Sequence, residues 1–335
     1  MTVFLQSSSS VENNMNDTIR KPPVLFINTS YPFVLPDLEE KFTVYNHRDA
    51  KNQSALLADA AKHARAVYTN GSSWVPSVLN ALPKLELIAC SSTGYDEFDL
   101  DAIRRRGVRL TNAPDLTSTD VADLAMALML AAARRVTWGE QYLRSGDWVA
   151  KGRPPLTRRV TGKRLGIVGL GAIGRKVAKR AMGFDMTISY QGPNNKGDVP
   201  YRYYPDLLDM AQNVDFLVVA CIGGPTTAGI ITAGVLDALG PDGVLVNVAR
   251  GSCVDGTALL TALKNNTIGA AGLDCHAEEP AGPDLYDGLD NVALTPHFGS
   301  ATPDSRRKMS DRAIDNLLAH FAGKPLLSPV PEIPG

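Results

Sequence analysis

"RLGIVGLGAIGRKVAKRAMGF", Arg164–Phe184, decides the fold of this 335-residue chain. Leu165–Val168 is an apolar run of strand character. Gly169, Gly171 and Gly174 follow it at GxGxxG spacing, and Arg175, Val177, Ala178 and Ala181 then continue with a helical period. Each glycine meets a separate demand: Gly169 permits the tight turn, Gly171 lets the backbone approach a pyrophosphate, and Gly174 lets the helix pack on the strand. The free N–H groups at the start of the helix then face the phosphates. Strand, turn and helix in this order predict the first βα unit of a dinucleotide-binding domain.

Downstream, "MTISY", "DFLVVAC", "GVLVNVA", "AAGLDC" and "NVALTP" recur between helical or connecting stretches. With the strand before the glycines they make six strand-like segments, enough for a full dinucleotide-binding sheet. Upstream, "VLFIN", "AVYTN" and "ELIAC" alternate with amphipathic stretches such as Ser54 to Ala64, which predicts a second parallel sheet with helices on both faces. A long Ala/Leu/Met helix begins near Thr117 or Ser118, either of which can cap it, and ends near Arg134-Arg135. Another runs from Pro303 to Ala322.

The predicted class is α/β with two Rossmann-like doubly wound domains. Residues 1–20 read as a disordered leader, with Met15 as an alternative start. Residues 21–115 and 300–335 form a discontinuous, flavodoxin-like substrate domain, and 116–299 an inserted NAD(P)-binding domain.

Composition narrows the function. A formal net charge of −1 argues against a nucleic-acid binder, and no apolar run approaches the roughly 18 residues that span a bilayer. The basic run Arg104-Arg105-Arg106 reads as the solvated C-terminal end of a helix. Cys90, Cys221, Cys253 and Cys275 lie far apart without a CxxC pair, which suits a reducing cytoplasm and gives no metal site.

The second strand of a dinucleotide-binding sheet commonly ends in an acid that binds the adenosine ribose 2′-hydroxyl. Here Gln191 stands in that place, followed by Gly192, Pro193, Asn194, Asn195 and Lys196. A carboxylate would repel a 2′-phosphate. Its absence admits NADP(H), with Lys196 and the two asparagines supplying charge and hydrogen bonds; NAD(H) remains usable.

Three strand-end stretches carry candidate chemistry: "NVARGSCVD" with Arg250, "GLDCHAEEP" with Glu279, and "LTPHFGSAT" with His297. Reduction of a 2-oxo acid needs a cation to hold the carboxylate and polarise the carbonyl, which a guanidinium does as a bidentate fork. It also needs a proton donor near neutral pH, a role for histidine, and a carboxylate beside the imidazole fixes its tautomer and favours the protonated form. His276 lacks a second ligand at metal spacing and reads as loop structure. No GxSxG motif occurs, and Cys253 has no evident base partner, so nucleophilic catalysis finds no support.

These motifs, together with "TNAPDLTSTDVADLA" and "VPYRYY", resemble the D-2-hydroxyacid dehydrogenase family from about residue 60 onward. They come nearest its NADPH-using glyoxylate/hydroxypyruvate and hydroxyphenylpyruvate reductases. The resemblance implies Arg250 as substrate anchor, His297 as acid/base and Glu279 as its partner, acting on a small 2-oxo or 2-hydroxy acid. It implies that Thr93 and Gly94 offer backbone N–H groups to the substrate carboxylate and that Arg306 lies nearby. The cofactor surface would comprise Gly169, Gly171, Ala172, Ile173 and Gly174, then Gln191, Asn194 and Lys196, then Cys221, Val248, Ala249, Asp274 and Gly299. Asp274 would meet the nicotinamide carboxamide. A homodimer built through the helix after Thr117, with Trp148 toward the partner, is also implied. Two positions depart from the pattern: Gly192-Pro193 replaces the Ser-Arg of many NADPH-using relatives, and Ala172 replaces an arginine. The alternatives are a non-enzymatic NAD(P)-sensing protein on the same fold, or an enzyme like 3-phosphoglycerate dehydrogenase or formate dehydrogenase. A formate dehydrogenase would place Gln before its histidine, where this chain has Thr295-Pro296.

Overall fold

A computed structural model describes residues 21–28, 31–71 and 76–333; the expected leader at 1–20 lies outside the described residues. Every strand pairing within its two sheets is parallel. The first sheet holds β1 (Pro23–Phe26), β2 (Thr43–Asn46), β3 (Ala66–Thr69), β4 (Leu87–Cys90) and β5 (Arg109–Thr111) in the order β2-β1-β3-β4-β5. That is the flavodoxin-like order.

The second sheet holds β6 (Arg164–Val168), β7 (Thr187–Gln191), β8 (Arg202–Tyr204), β9 (Phe216–Val219), β10 (Val244–Asn247), β11 (Ala270–Leu273) and β12 (Val292–Leu294). Its order is β12-β11-β10-β9-β6-β7-β8. From β6 the chain builds outward to β8, then restarts on the other side of β6 at β9. The point of reversal lies beside the glycine turn, where such sheets bind ligands.

Alternating residues divide the second sheet between two cores. Ile167, Phe216, Val218, Val244 and Val246 pack with Ala122, Met129, Val177 and Ala178, from the helices Ser118–Ala133 and Ala172–Ala181. Leu217, Val219 and Leu245 pack on the opposite face with Met210, Leu236 and Leu263 from the helices Leu207–Gln212, Ala233–Leu239 and Gly256–Lys264. With both faces covered, the strands read as continuous apolar runs.

Three strands have no counterpart among the expected segments: β2, β5 and β8. All are edge strands of three or four residues, and β2 buries none of its residues fully. The expected side-chain cap of the Ser118 helix is also corrected. Thr117 makes no capping bond, and Ser118 Oγ instead donates to the Asp115 carbonyl at 2.9 Å.

Two compact units are present. One comprises the described residues up to Cys90, Asp99–Thr111 and those from Ile314 onward; the other comprises Ser91–Phe98 and Asn112–Ala313. The divisions differ from those expected at 115/116 and 299/300. "SSTGYDEF" clusters with the glycine-turn unit because Gly94 and Asp96 lie against Arg250. The helix Pro303–Phe321 is divided after Ala313. Among the described residues no helix is long and apolar enough to cross a membrane.

Candidate active site

The glycine turn is built for close approach. Gly169 adopts φ +92°, and a Cβ there would stand 2.5 Å from the Cys221 Cα. A Cβ on Gly174 would stand 2.2 Å from the Gly169 carbonyl oxygen, so helix and turn touch through backbone. A Cβ on Gly171 would meet nothing within 4 Å. That exposed backbone at the head of the helix Ala172–Ala181 is where a pyrophosphate fits. Ala172 and Ile173 are half-buried on the first turn of this helix.

Gln191 ends β7, and its carbonyl accepts the Gly169 N–H at 2.9 Å. The loop beyond is tied down by tyrosines. Tyr190 Oη donates to Asn195 Oδ1 at 2.8 Å and accepts the Lys196 N–H at 2.6 Å, while Tyr203 Oη donates to the Gly192 carbonyl at 3.0 Å. Asn194 and Lys196 are exposed. An acid does stand in this loop, at Asp198, but Arg175 engages it at 3.0 Å. The Arg175 bond holds the Asp198 carboxyl below its usual range.

Arg250 follows β10 and runs between two glycines. A Cβ on Gly94 would stand 1.8 Å from its Nη2, and one on Gly223 2.5 Å from its Cγ. Its Nη1 donates to the Ala249 carbonyl at 2.9 Å, and Nη2 reaches Asp96 Oδ1 at 3.3 Å. Burial alone would raise the Asp96 carboxyl, but the Arg250 guanidinium outweighs it and holds the group below its usual range. Asp96 was missed in the sequence. Its signal was present, an acid two residues past a glycine already assigned to the substrate. Thr93 lies in the same segment, its Oγ1 donating to the Ala113 carbonyl at 2.9 Å.

His297 stands in the loop after β12 at φ +49°, a left-handed conformation rare for a side chain that is not glycine. Asp274 imposes it. The His297 N–H donates to the Asp274 carbonyl, and the Asp274 carboxylate accepts from Thr295 Oγ1 at 2.7 Å and from the N–H groups of Phe298 and Gly299 at 2.9 Å each. Asp274 is only 2% exposed and both its oxygens are engaged. Its place in this fold is therefore as anchor of the histidine loop, beyond the cofactor contact that the resemblance implies. Val248 and Ala249, both 5% exposed, form floor rather than wall.

His297 Nδ1 and Glu279 Oε2 lie 2.5 Å apart. Glu279 Oε1 accepts the His276 N–H at 2.9 Å, so the carboxylate is held from both sides. Nδ1 thus faces the carboxylate, which fixes the ring's orientation and leaves Nε2 on its far side. His276 is buried, with Nδ1 to Tyr286 Oη at 3.0 Å and Nε2 to the Thr295 carbonyl at 2.9 Å, a structural role. Cys275 Sγ lies within 4.8 Å of the Glu279 and His297 donor atoms. Burial pushes its thiol up, and its S–H donates to the Ala249 carbonyl, which makes it a poor metal ligand. Arg306 sits on the first turns of the helix Pro303–Phe321, half-buried.

A glycine turn at a sheet reversal, with a guanidinium and a carboxylate-backed imidazole on neighbouring strand-end loops, defines a dinucleotide-dependent oxidoreductase. The sequence profile of the D-isomer specific 2-hydroxyacid dehydrogenase NAD-binding domain matches residues 126–299. Hydroxyphenylpyruvate reductase of Plectranthus scutellarioides is 43% identical over 92% of this chain and 98% of its own. A 2-hydroxyacid dehydrogenase from Ketogulonicigenium vulgare superposes with a TM-score of 0.86 at 42% identity, over 93% of this chain and 98% of that one. The NADPH-dependent glyoxylate/hydroxypyruvate reductase of Sinorhizobium meliloti, solved with NADP and malonate, gives 0.84 at 37% identity, over 94% and 98%. The chain belongs to the D-isomer specific 2-hydroxyacid dehydrogenases and is an oxidoreductase with an NAD(P)-binding domain.

Proposed function

We propose that this enzyme reduces a 2-oxo acid to the D-2-hydroxy acid, preferring NADPH and also accepting NADH. The observation that carries the reading is the close His297–Glu279 pair, on the same unit as an Arg250 fork framed by Gly94. The residues around Gly171 fit a nicotinamide dinucleotide, which when bound supplies the hydride. Arg250 holds the substrate carboxylate and polarises the carbonyl. The Thr93 and Gly94 N–H groups take the far side of that carboxylate. His297 Nε2 gives a proton to the carbonyl oxygen, and Glu279 orients the imidazole and fixes its tautomer. In the reverse direction the same imidazole removes the hydroxyl proton.

Glyoxylate, hydroxypyruvate, 2-ketogluconate and hydroxyphenylpyruvate are the substrates named for relatives. They define the panel to test. A cytoplasmic homodimer completes the reading. Val136, Leu143, Trp148, Val149 and Leu156 are each more than half exposed along one stretch of chain, an apolar surface suited to a second copy.

The test is initial-rate reduction of each acid with NADPH and NADH in parallel. Turnover of at least one acid is expected, faster with NADPH. Equal rates with both cofactors would withdraw the NADPH preference alone, and no turnover of any 2-oxo acid would withdraw the reductase.

A further inference from the structure

One pair of nucleophilic side chains lies beside the glycine turn with no bond-making step of the reduction assigned to it. Cys221 follows β9, and Cys253 ends the 3-10 turn Gly251–Cys253 directly after Arg250. Their sulfurs are 3.9 Å apart, with the Cys221 S–H donating to Cys253 Sγ. Both thiols are free; Cys221 is partly exposed and Cys253 is buried. The bond from Cys221 draws the Cys253 thiol below its usual range, against a burial that would raise it, and the Thr227 hydroxyl adds to the effect. The same bond and burial push the Cys221 thiol up, so one proton is lost from Cys253 and the other stays on Cys221, shared toward the Cys253 sulfur.

The surroundings couple this pair to both halves of the site. The Cys221 backbone is pressed against Gly169, where a Cβ would stand 2.5 Å from the Cys221 Cα. The Cys253 N–H donates to the Arg250 carbonyl at 3.2 Å. Drawing the sulfurs from 3.9 Å to the roughly 2.05 Å of a disulfide moves two side chains whose backbones adjoin the glycine turn and Arg250.

We propose that Cys221 and Cys253 form an oxidation site, at which a hydroperoxide converts the two thiols into a disulfide that disables the glycine turn and Arg250 together. Cys221, the more accessible sulfur, attacks a peroxide oxygen as its proton passes along the hydrogen bond to the Cys253 thiolate. The O–O bond breaks, a sulfenic acid forms, and water leaves when the oxidant is hydrogen peroxide. Cys253 then attacks the sulfenic sulfur, the S–O bond breaks, and the departing hydroxide takes up the remaining thiol proton as a second water. Two thiols lose two electrons, and one peroxide becomes two waters. A dithiol reductant reverses the change.

The experiment treats the full chain with hydrogen peroxide, then measures intact mass, the cross-linked peptide and the reductase rate. The expected result is a loss of about 2 Da, a Cys221–Cys253 disulfide peptide, and a rate at least ~10-fold lower that dithiothreitol restores. Cys253→Ala should keep its rate under the same treatment, with Cys253→Ser as second variant should the alanine fold poorly. Mass gains in steps of about 16 Da without a cross-link would overturn the proposal. So would a cross-linked protein of full activity, or a Cys253 variant that still loses activity reversibly. The mass readout needs no turnover, so failure of the thiol chemistry and failure of the reductase reading are distinguishable.

Discussion

Arg250 owes its position to two neighbours with no side chain in its way, Gly94 and Gly223. Adding a single methyl at Gly94 would displace the guanidinium, since the new carbon falls 1.8 Å from Nη2. Misplacing a positioning group by about an ångström costs roughly 10²-fold. Gly94→Ala should therefore lower kcat/KM by about that factor while thermal unfolding barely moves; a rate near that of the parent would remove Gly94 from the account. Arg250→Lys keeps the charge but loses the fork, and kcat/KM should again fall, with near-normal activity contradicting the anchoring role. Arg250, Glu279 and His297 stood out as candidates in the sequence because each lies in the loop after a strand-like run, and the fold places all three in loops that follow β10, β11 and β12. Asp96 was harder to see, because its partner lies 154 residues away and only the fold joins them.

At the scale of elements, the helix Ser118–Ala133 packs so closely on β11 that a Cβ on Gly272 would stand 2.9 Å from the Leu128 carbonyl oxygen. Overpacking of this kind costs about 1–3 kcal/mol. Gly272→Ala should lower the urea midpoint accordingly with the slope unchanged, and an unshifted midpoint would mean the layers can separate freely. The long apolar strands and both long helices were readable from periodicity. The edge strands were not, because three or four residues with one partner carry too little pattern. The loop after β7 was read correctly as lacking an acid through Lys196. It was invisible in the sequence that Tyr190 and Tyr203 would fasten it and that Arg175 would neutralise Asp198 just beyond.

Across the whole molecule, stability should depend on pH through the five-stranded unit. His320 is 7% exposed and packs beside Arg109, while His47 is 8% exposed. Burial, and for His320 then the Arg109 charge, lowers both below 6.5. A histidine whose pKa falls on folding takes up its proton more readily when unfolded. Its neutral form is therefore compatible with the fold above about pH 7, and stability is lost as pH drops through 6.5 toward the lowered values. The melting temperature should fall between pH 7.5 and 5.5, and His320→Gln should flatten that slope; an unchanged slope would place the dependence elsewhere. The alternation of strands and helices made the two α/β sheets legible. The exact chain divisions were not, since the segment holding Gly94 and Asp96 joins the second unit through contacts with Arg250 rather than through any local pattern.

In the proposed reaction His297, held by Glu279, moves the proton. The most direct measurement compares kcat for hydroxypyruvate reduction by wild type and His297→Ala at saturating NADPH. A fall of roughly 10²–10⁴-fold in kcat is predicted, the usual weight of a positioned acid. An unchanged kcat with only KM raised would contradict it.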